Sequence, residues 1–136
     1  MNSKITLSIP EIAKKIKVLD LSSYDLVVGI ANGAIVLASL LAYEAELELR
    51  IIQINFRDND NRKKFDEPKL LQGFSLDKKY NNILLVDDVS VTKKTLDKAK
   101  EVIACQKITT LVIKGEADIV LFEKISECII LPWRDY

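Results

Sequence analysis

Asn82-Ile-Leu-Leu-Val-Asp-Asp-Val-Ser-Val-Thr-Lys-Lys-Thr-Leu-Asp97 opens on a short apolar run, Ile83 to Val86, with the length and branching of a buried strand. Two adjacent carboxylates, Asp87 and Asp88, follow where that strand should end. A small-polar turn with Ser90 and Thr92 comes next. From Thr92 or Thr95 the residues suit a helix, because Leu96, Ala99, Val102 and Ile103 recur at three- and four-residue spacing. The order strand, acid pair, hydroxyl-rich loop, helix start has a physical use. Open α/β sheets bind ligands beyond the carboxyl ends of their strands. The unpaired N–H groups and positive dipole end of the following helix attract phosphate. The hydroxyls of Thr92 and Thr95 would add hydrogen bonds to that anion, and the carboxylates would hold sugar hydroxyls or a divalent cation.

A second junction of the same kind lies upstream. Asp25-Leu-Val-Val-Gly-Ile30 is apolar enough for a strand buried on both faces, Ala31-Asn32-Gly33-Ala34 is a tight turn, and residues 35–45 form an apolar helix. Backbone amides at such a turn can grip a diphosphate, and Gly33 permits close approach.

Val86-Asp87-Asp88-Val89-Ser90-Val91-Thr92-Lys93-Lys94-Thr95 resembles the diphosphate-sugar signature of the type I phosphoribosyltransferases, matching at Asp87, Asp88, Thr92 and Thr95. Val28 to Ala38 resembles the pyrophosphate loop of the same family. The resemblance implies a mostly parallel, twisted α/β sheet flanked by helices, with a small hood. It also implies a magnesium-dependent enzyme that transfers phosphoribosyl from phosphoribosyl pyrophosphate to a nitrogenous base and releases pyrophosphate. On that reading Asp87 and Asp88 bind the ribose hydroxyls, Asp88 also meets Mg2+, and Val89, Ser90, Val91, Thr92, Lys93, Lys94 and Thr95 wrap the 5′-phosphate. Ala31, Asn32 and Gly33 receive the pyrophosphate. Residues of about 57–71 form a mobile loop, and Ile130 and Trp133 belong to a hood over the base. Relatives are usually homodimers, which makes a homodimer the implied assembly.

The chain departs from the family at several places. Lys93 stands where the family has Gly, Asn32 where it has a basic residue, and Ala34 where it has a second Gly. The ending Ile129-Ile-Leu-Pro-Trp133 resembles that of bacterial xanthine–guanine enzymes. Those enzymes, however, carry an aromatic residue at the place of Cys128 and an Asp at the place of Val91, which cannot transfer a proton. A side chain at a left-handed position costs roughly 1–2 kcal/mol. A lysine beside a phosphate gains up to about 4 kcal/mol of Coulomb energy at an effective dielectric near 20, before desolvation. The exchange at Lys93 therefore does not exclude phosphate. The departures motivate an alternative, a protein that binds a phosphorylated ribose or nucleotide for regulation without turnover. No general base can be named.

The remaining chain supports one α/β domain. Its 136 residues suffice for one core, with about 20–125 as the body and the N-terminal segment with about 126–136 as the hood. Ser8-Ile-Pro-Glu11 reads as a capping box opening a helix over about 9–19. Strands are expected at 50–56, 107–113, 119–122 and from Cys128 towards Pro132, with a return through 71–76 after the charged run 57–69. Repeated β–α alternation argues a parallel sheet.

Twenty basic and twenty acidic residues cancel, so bulk charge offers no nucleic-acid footprint. No apolar run is long enough to span a membrane, and the polar start is unlike a secretory leader, which makes the cytoplasm the expected compartment. The absence of histidine removes Ser-His and Cys-His catalysis. Cys105 and Cys128 are too few for a zinc tetrad and are expected to be buried, inert thiols. Neither a dinucleotide fingerprint nor a P-loop is present. A phospho-acceptor receiver domain would carry its acid pair after the first strand, whereas here the pair follows the third.

Overall fold

A computed structural model describes residues 4–55, 67–104 and 107–134. Its centre is a sheet in which β2 (Leu26–Ala31) lies between β3 (Glu48–Asn55) and β5 (Ile83–Val86). The sheet continues from β5 to β7 (Ile108–Val112) and β9 (Ile119–Val120), all parallel. Only β4 (Lys69–Leu70), on the outer edge of β3, runs antiparallel. The expected parallel α/β architecture is therefore the observed one.

Period-two alternation divides the core into two layers. Val27, Leu84, Val86 and Leu111 pack with Ile12 and Ile16 of α1 (Ile9–Lys17) and with Leu37, Ala38 and Leu41 of α2 (Ile35–Ala45). Leu26, Val28, Ile83, Leu85 and Val112 face the other way, onto Leu96, Ala99 and Ile103 of α3 (Lys94–Ile103). Each such side chain taken fully from water contributes about 1.5–3 kcal/mol before entropy is charged. Because both faces are covered, β2 and β5 are buried at every position. That is why they read as unbroken apolar runs rather than alternating ones.

Local chemistry sets where the elements begin. The capping box is formed: the Glu11 amide donates to Ser8 Oγ at 3.2 Å and the Ser8 amide donates to Glu11 Oε1 at 3.1 Å. Asp25, expected as the first residue of β2, stands just before it and acts as a clamp. Its carboxylate accepts the amides of Asn81 and Asn82 at 2.8 and 3.0 Å, and its own amide donates to the Asn82 carbonyl. The two central strands therefore enter the sheet side by side, with Leu26 opposite Ile83 and Gly29 opposite Val86. Gly29 has a packing role of its own. A Cβ there would lie 2.5 Å from Ala38 Cβ, so α2 rests directly on the β2 backbone.

Three features differ from the sequence expectation. The return strand pairs at 69–70, ahead of the expected 71–76, and most of the expected mobile loop, 57–66, falls outside the described residues. Two small parallel pairs went unanticipated: β1 (Lys4–Thr6) with β10 (Cys128–Ile130), and β6 (Val89–Ser90) with β8 (Lys114–Gly115). Cys128 is exposed, not buried, because the pleat of β10 turns Ile129 into the core and Cys128 away from it. Cys105 lies outside the described residues.

Gly29→Ala should lower stability by about 1–3 kcal/mol, the usual penalty of forcing extra volume into a packed contact. Urea unfolding would show this as a reduced midpoint at unchanged slope; an unaltered midpoint would mean that α2 does not need the close approach.

Candidate functional site

Chain order reverses between β2 and β5. From β2 the chain passes through α2 to β3 on one side, and from β5 through α3 to β7 on the other. The two helices cover opposite faces, which opens a crevice beyond the carboxyl ends of the two central strands. Both sequence-derived junctions lie here. Continuing the Gly29–Val86 register brings Ala31 level with Asp88.

The acid pair is rooted by its backbone in the neighbouring strand. The Asp87 amide donates to the Leu111 carbonyl at 3.0 Å, and the Asp88 carbonyl accepts the Ile113 amide at 2.8 Å. Both residues are buried. The Asp87 carboxylate accepts the Asp88 amide at 2.9 Å. Asp88 Oδ1 accepts the Val89 amide at 2.7 Å, while Oδ2 meets Arg134 Nη2 at 2.6 Å. Burial, reinforced by the adjacent charge of Asp88, pushes the Asp87 carboxyl well above the usual carboxylate range, against the pull of the Asp88 amide and Arg134.

The Ala31–Gly33 turn closes on the same point. A Cβ at Gly33 would fall 2.5 Å from Asp88 Oδ2 and 2.8 Å from Arg134 Nη2. Glycine is thus required by the close approach of loop, carboxylate and guanidinium. Asn32 is exposed at the tip of the turn, and the peptide between Ala31 and Asn32 is cis.

The loop from Val89 to Thr95 leaves the acid pair in two parts. Val89 and Ser90 are clipped to β8, with the Ser90 carbonyl accepting the Glu116 amide at 3.0 Å. Gly115, at φ +120, is pressed against the Ser90 backbone so closely that a Cβ would overlap the Ser90 carbonyl oxygen. Beyond this clip Val91, Thr92 and Lys94 are exposed. Lys93 takes the left-handed conformation, φ 65 and ψ −2, at the N-cap of α3 with no side-chain cap. The positive φ that glycine supplies cheaply is therefore adopted here by a lysine. The Lys94 amide reaches Thr92 Oγ1 at 3.4 Å, and the first helical bond runs from the Asp97 amide to the Lys93 carbonyl. Helix geometry leaves the first-turn amides without intrahelical acceptors, so this mouth suits an anion.

Trp133 packs half-buried against the α1–α2 side of the core, and Ile130 is half-buried in β10. Arg134 stands outside the residues the sequence singled out. The available signal was a Pro two positions before a cation, since the Leu131-Pro-Trp-Arg134 turn closes with the Arg134 amide donating to the Leu131 carbonyl at 3.2 Å. Among the described residues no group of three or more metal-ligating side chains exists. Two adjacent hard-oxygen donors nevertheless fit a magnesium ion that arrives with a phosphorylated ligand, since Mg2+ commonly takes one or two protein carboxylates and fills its shell with phosphate and water.

Two outcomes follow from this geometry. A carboxyl whose folded pKa is raised binds more protons in the folded state. Its contribution is present below the usual carboxylate range and is lost as pH rises through the raised pKa. Without divalent cations, wild type should therefore lose stability relative to Asp87→Asn as pH climbs from about 4 to 8 in urea titrations; a constant difference would refute this. Lys93→Gly should stabilise by up to about 1 kcal/mol, the relief of a roughly 1–2 kcal/mol left-handed penalty less about 0.4–1 for added unfolded-state freedom. A fall in midpoint would contradict it.

Comparison with known proteins agrees with this geometry. A family model described as a phosphoribosyl transferase domain matches residues 2–114. Among solved structures, the chain is similar to a purine phosphoribosyltransferase from Pyrococcus horikoshii Ot3 (TM-score 0.80, 23% identity, covering 98% of this chain and 95% of that one). It is also similar to a xanthine-guanine-hypoxanthine phosphoribosyltransferase from Helicobacter pylori (TM-score 0.70, 15% identity, 98% and 93%). A hypothetical protein from Neisseria gonorrhoeae with bound ppGpp resembles it as well (TM-score 0.67, 20% identity, 98% and 90%). At those identities the likeness is one of fold. No curated protein sequence matches. With the family match spanning most of its length and both loops meeting at the switch point, the chain belongs to the type I phosphoribosyltransferase family.

Proposed function

We propose that this protein transfers a phosphoribosyl group from phosphoribosyl pyrophosphate to a nitrogenous base, releasing pyrophosphate. The observation that carries the reading is the convergence of the buried acid pair with the Ala31–Gly33 turn, against which Asp88 packs directly. A sugar with a 1-diphosphate and a 5-phosphate needs three adjoining subsites: acceptors for its hydroxyls and one anion site on either side. Asp87 and Asp88 serve the hydroxyls. Below the raised pKa of Asp87 the pair offers one proton donor and one ionised acceptor to two neighbouring hydroxyls. The 5′-phosphate occupies the loop Val89–Thr95, where the exposed Thr92, Lys94 and the α3 mouth supply donors. The diphosphate lies along Ala31, Asn32 and Gly33. Ile130, Trp133, the N-terminal segment and about 126–136 form the hood, and 57–71 the covering loop.

Asp88, with Asp87 beside it, would hold Mg2+, which when bound would neutralise charge on the departing pyrophosphate. Positioning and charge stabilisation around an oxocarbenium-like centre supply most of the rate, and no side chain is assigned as general base. The purine character of several structural neighbours makes purines the first bases to screen. Homodimerisation in the cytoplasm is part of the same reading.

A second reading is a nucleotide-binding regulator that does not turn over. It is favoured by Val91 and Lys93 in the phosphate loop and by the ppGpp held in the structure of the Neisseria gonorrhoeae neighbour.

Calorimetry with phosphoribosyl pyrophosphate and magnesium, followed by pyrophosphate release across purines, pyrimidines and orotate, separates the two. Binding with base-dependent release is the expected result, weakened at least tenfold in Asp87→Asn and Asp88→Asn. Binding of phosphoribosyl pyrophosphate or ppGpp without release would select the regulator. Absence of binding, with both variants like wild type, would falsify both readings.

A further inference from the structure

We propose that Arg134 is the cation that receives the diphosphate end of the ligand, a role that rests on the phosphoribosyl reading above. The problem it answers is electrostatic. A diphosphate lying on the Ala31–Gly33 turn would face Asp88 directly, because the place of a Gly33 Cβ is 2.5 Å from Asp88 Oδ2. Two like charges at such range repel strongly in a partly desolvated crevice. The turn itself offers Asn32 and backbone amides but no charge.

The guanidinium of Arg134 fills that gap. It lies 2.6 Å from Asp88 Oδ2, and its Nη2 is 2.8 Å from the place of the Gly33 Cβ, so it sits between the carboxylate and the turn. The placement is built, not incidental. Pro132 fixes the second residue of a turn whose closing bond joins the Arg134 amide to the Leu131 carbonyl. Leu131 is buried, and Trp133 packs against the core, which anchors the turn on both sides of Pro132. A guanidinium is planar and presents donors along more than one edge, so it can hold a carboxylate on one edge and meet a phosphate on another. Its side chain keeps about 30% of its surface exposed, which leaves it reachable from the crevice. Arg134 is thus a specificity-determining residue for diphosphate over monophosphate ligands.

The test compares phosphoribosyl pyrophosphate, inorganic pyrophosphate and ribose 5-phosphate by calorimetry on wild type, Arg134→Ala, Arg134→Lys and the double variant Arg134→Ala with Asn32→Lys. Thermal unfolding of each variant confirms that it is folded. Arg134→Ala should weaken the two diphosphate ligands at least tenfold and leave ribose 5-phosphate within about twofold. Arg134→Lys should recover part of the loss, and the lysine at position 32 should restore diphosphate affinity from the other side. Equal weakening of all three ligands would overturn the assignment and make Arg134 a structural partner of Asp88. Tighter diphosphate binding in Arg134→Ala would also overturn it, by showing a plug that the ligand must displace. Wild type that binds none of the three ligands would overturn the parent reading, an outcome distinct from wild-type binding that Arg134→Ala does not alter.

Discussion

Two carboxylates at the tip of a strand with both faces covered face an electrostatic constraint that the surrounding structure is shaped to meet. An ionised carboxylate taken from water is strongly disfavoured unless it is paired or hydrogen-bonded. Asp88 is provided for by the Val89 amide and by Arg134. Asp87, which accepts only the Asp88 amide among the described contacts, shifts towards its protonated form. The two neighbours therefore carry different charge in the same environment. Removing one partner of a buried ion pair typically costs about 3–5 kcal/mol; with Arg134 30% exposed, the pair here is screened below that range.

That constraint is coupled to packing. Gly29 lets α2 settle on β2, and Gly33 lets the following turn settle on Asp88, so two missing side chains bring helix, strand and carboxylate together. The clamp at Asp25 sets the start of both central strands, which fixes how far each reaches. On the opposite side of the acid pair, Gly115 and the β6–β8 clip tie the root of the phosphate loop to the chain after β7. The exposed part, from Val91 to Lys94, thus hangs from a fixed point.

The parts of this arrangement that were legible in sequence are those written by neighbours in the chain. Ile83–Val86 and Leu26–Ala31 announce buried strands because every residue is apolar, and Ser8 with Glu11 announces a helix start because the partners are three apart. The acid pair and both loops were found for the same reason. What escaped depends on distant partners. β1 and β10, three residues each, show no period of their own and exist only through one another. Cys128 has an apolar neighbourhood in sequence, yet the pleat faces it outward. Arg134 gains meaning only from Asp88, across a separation no local pattern spans.

That separation, 46 positions, orders events during synthesis. A ribosome adding roughly 5–20 residues each second makes Asp88 several seconds before the arginine that neutralises it, and β1 waits longer still for its only strand partner. Until the final segment emerges, the nascent sheet holds an uncompensated acid tip and an unpaired first strand. The crevice is therefore the last region of the chain to be completed, after the hydrophobic layers beneath it are already in place.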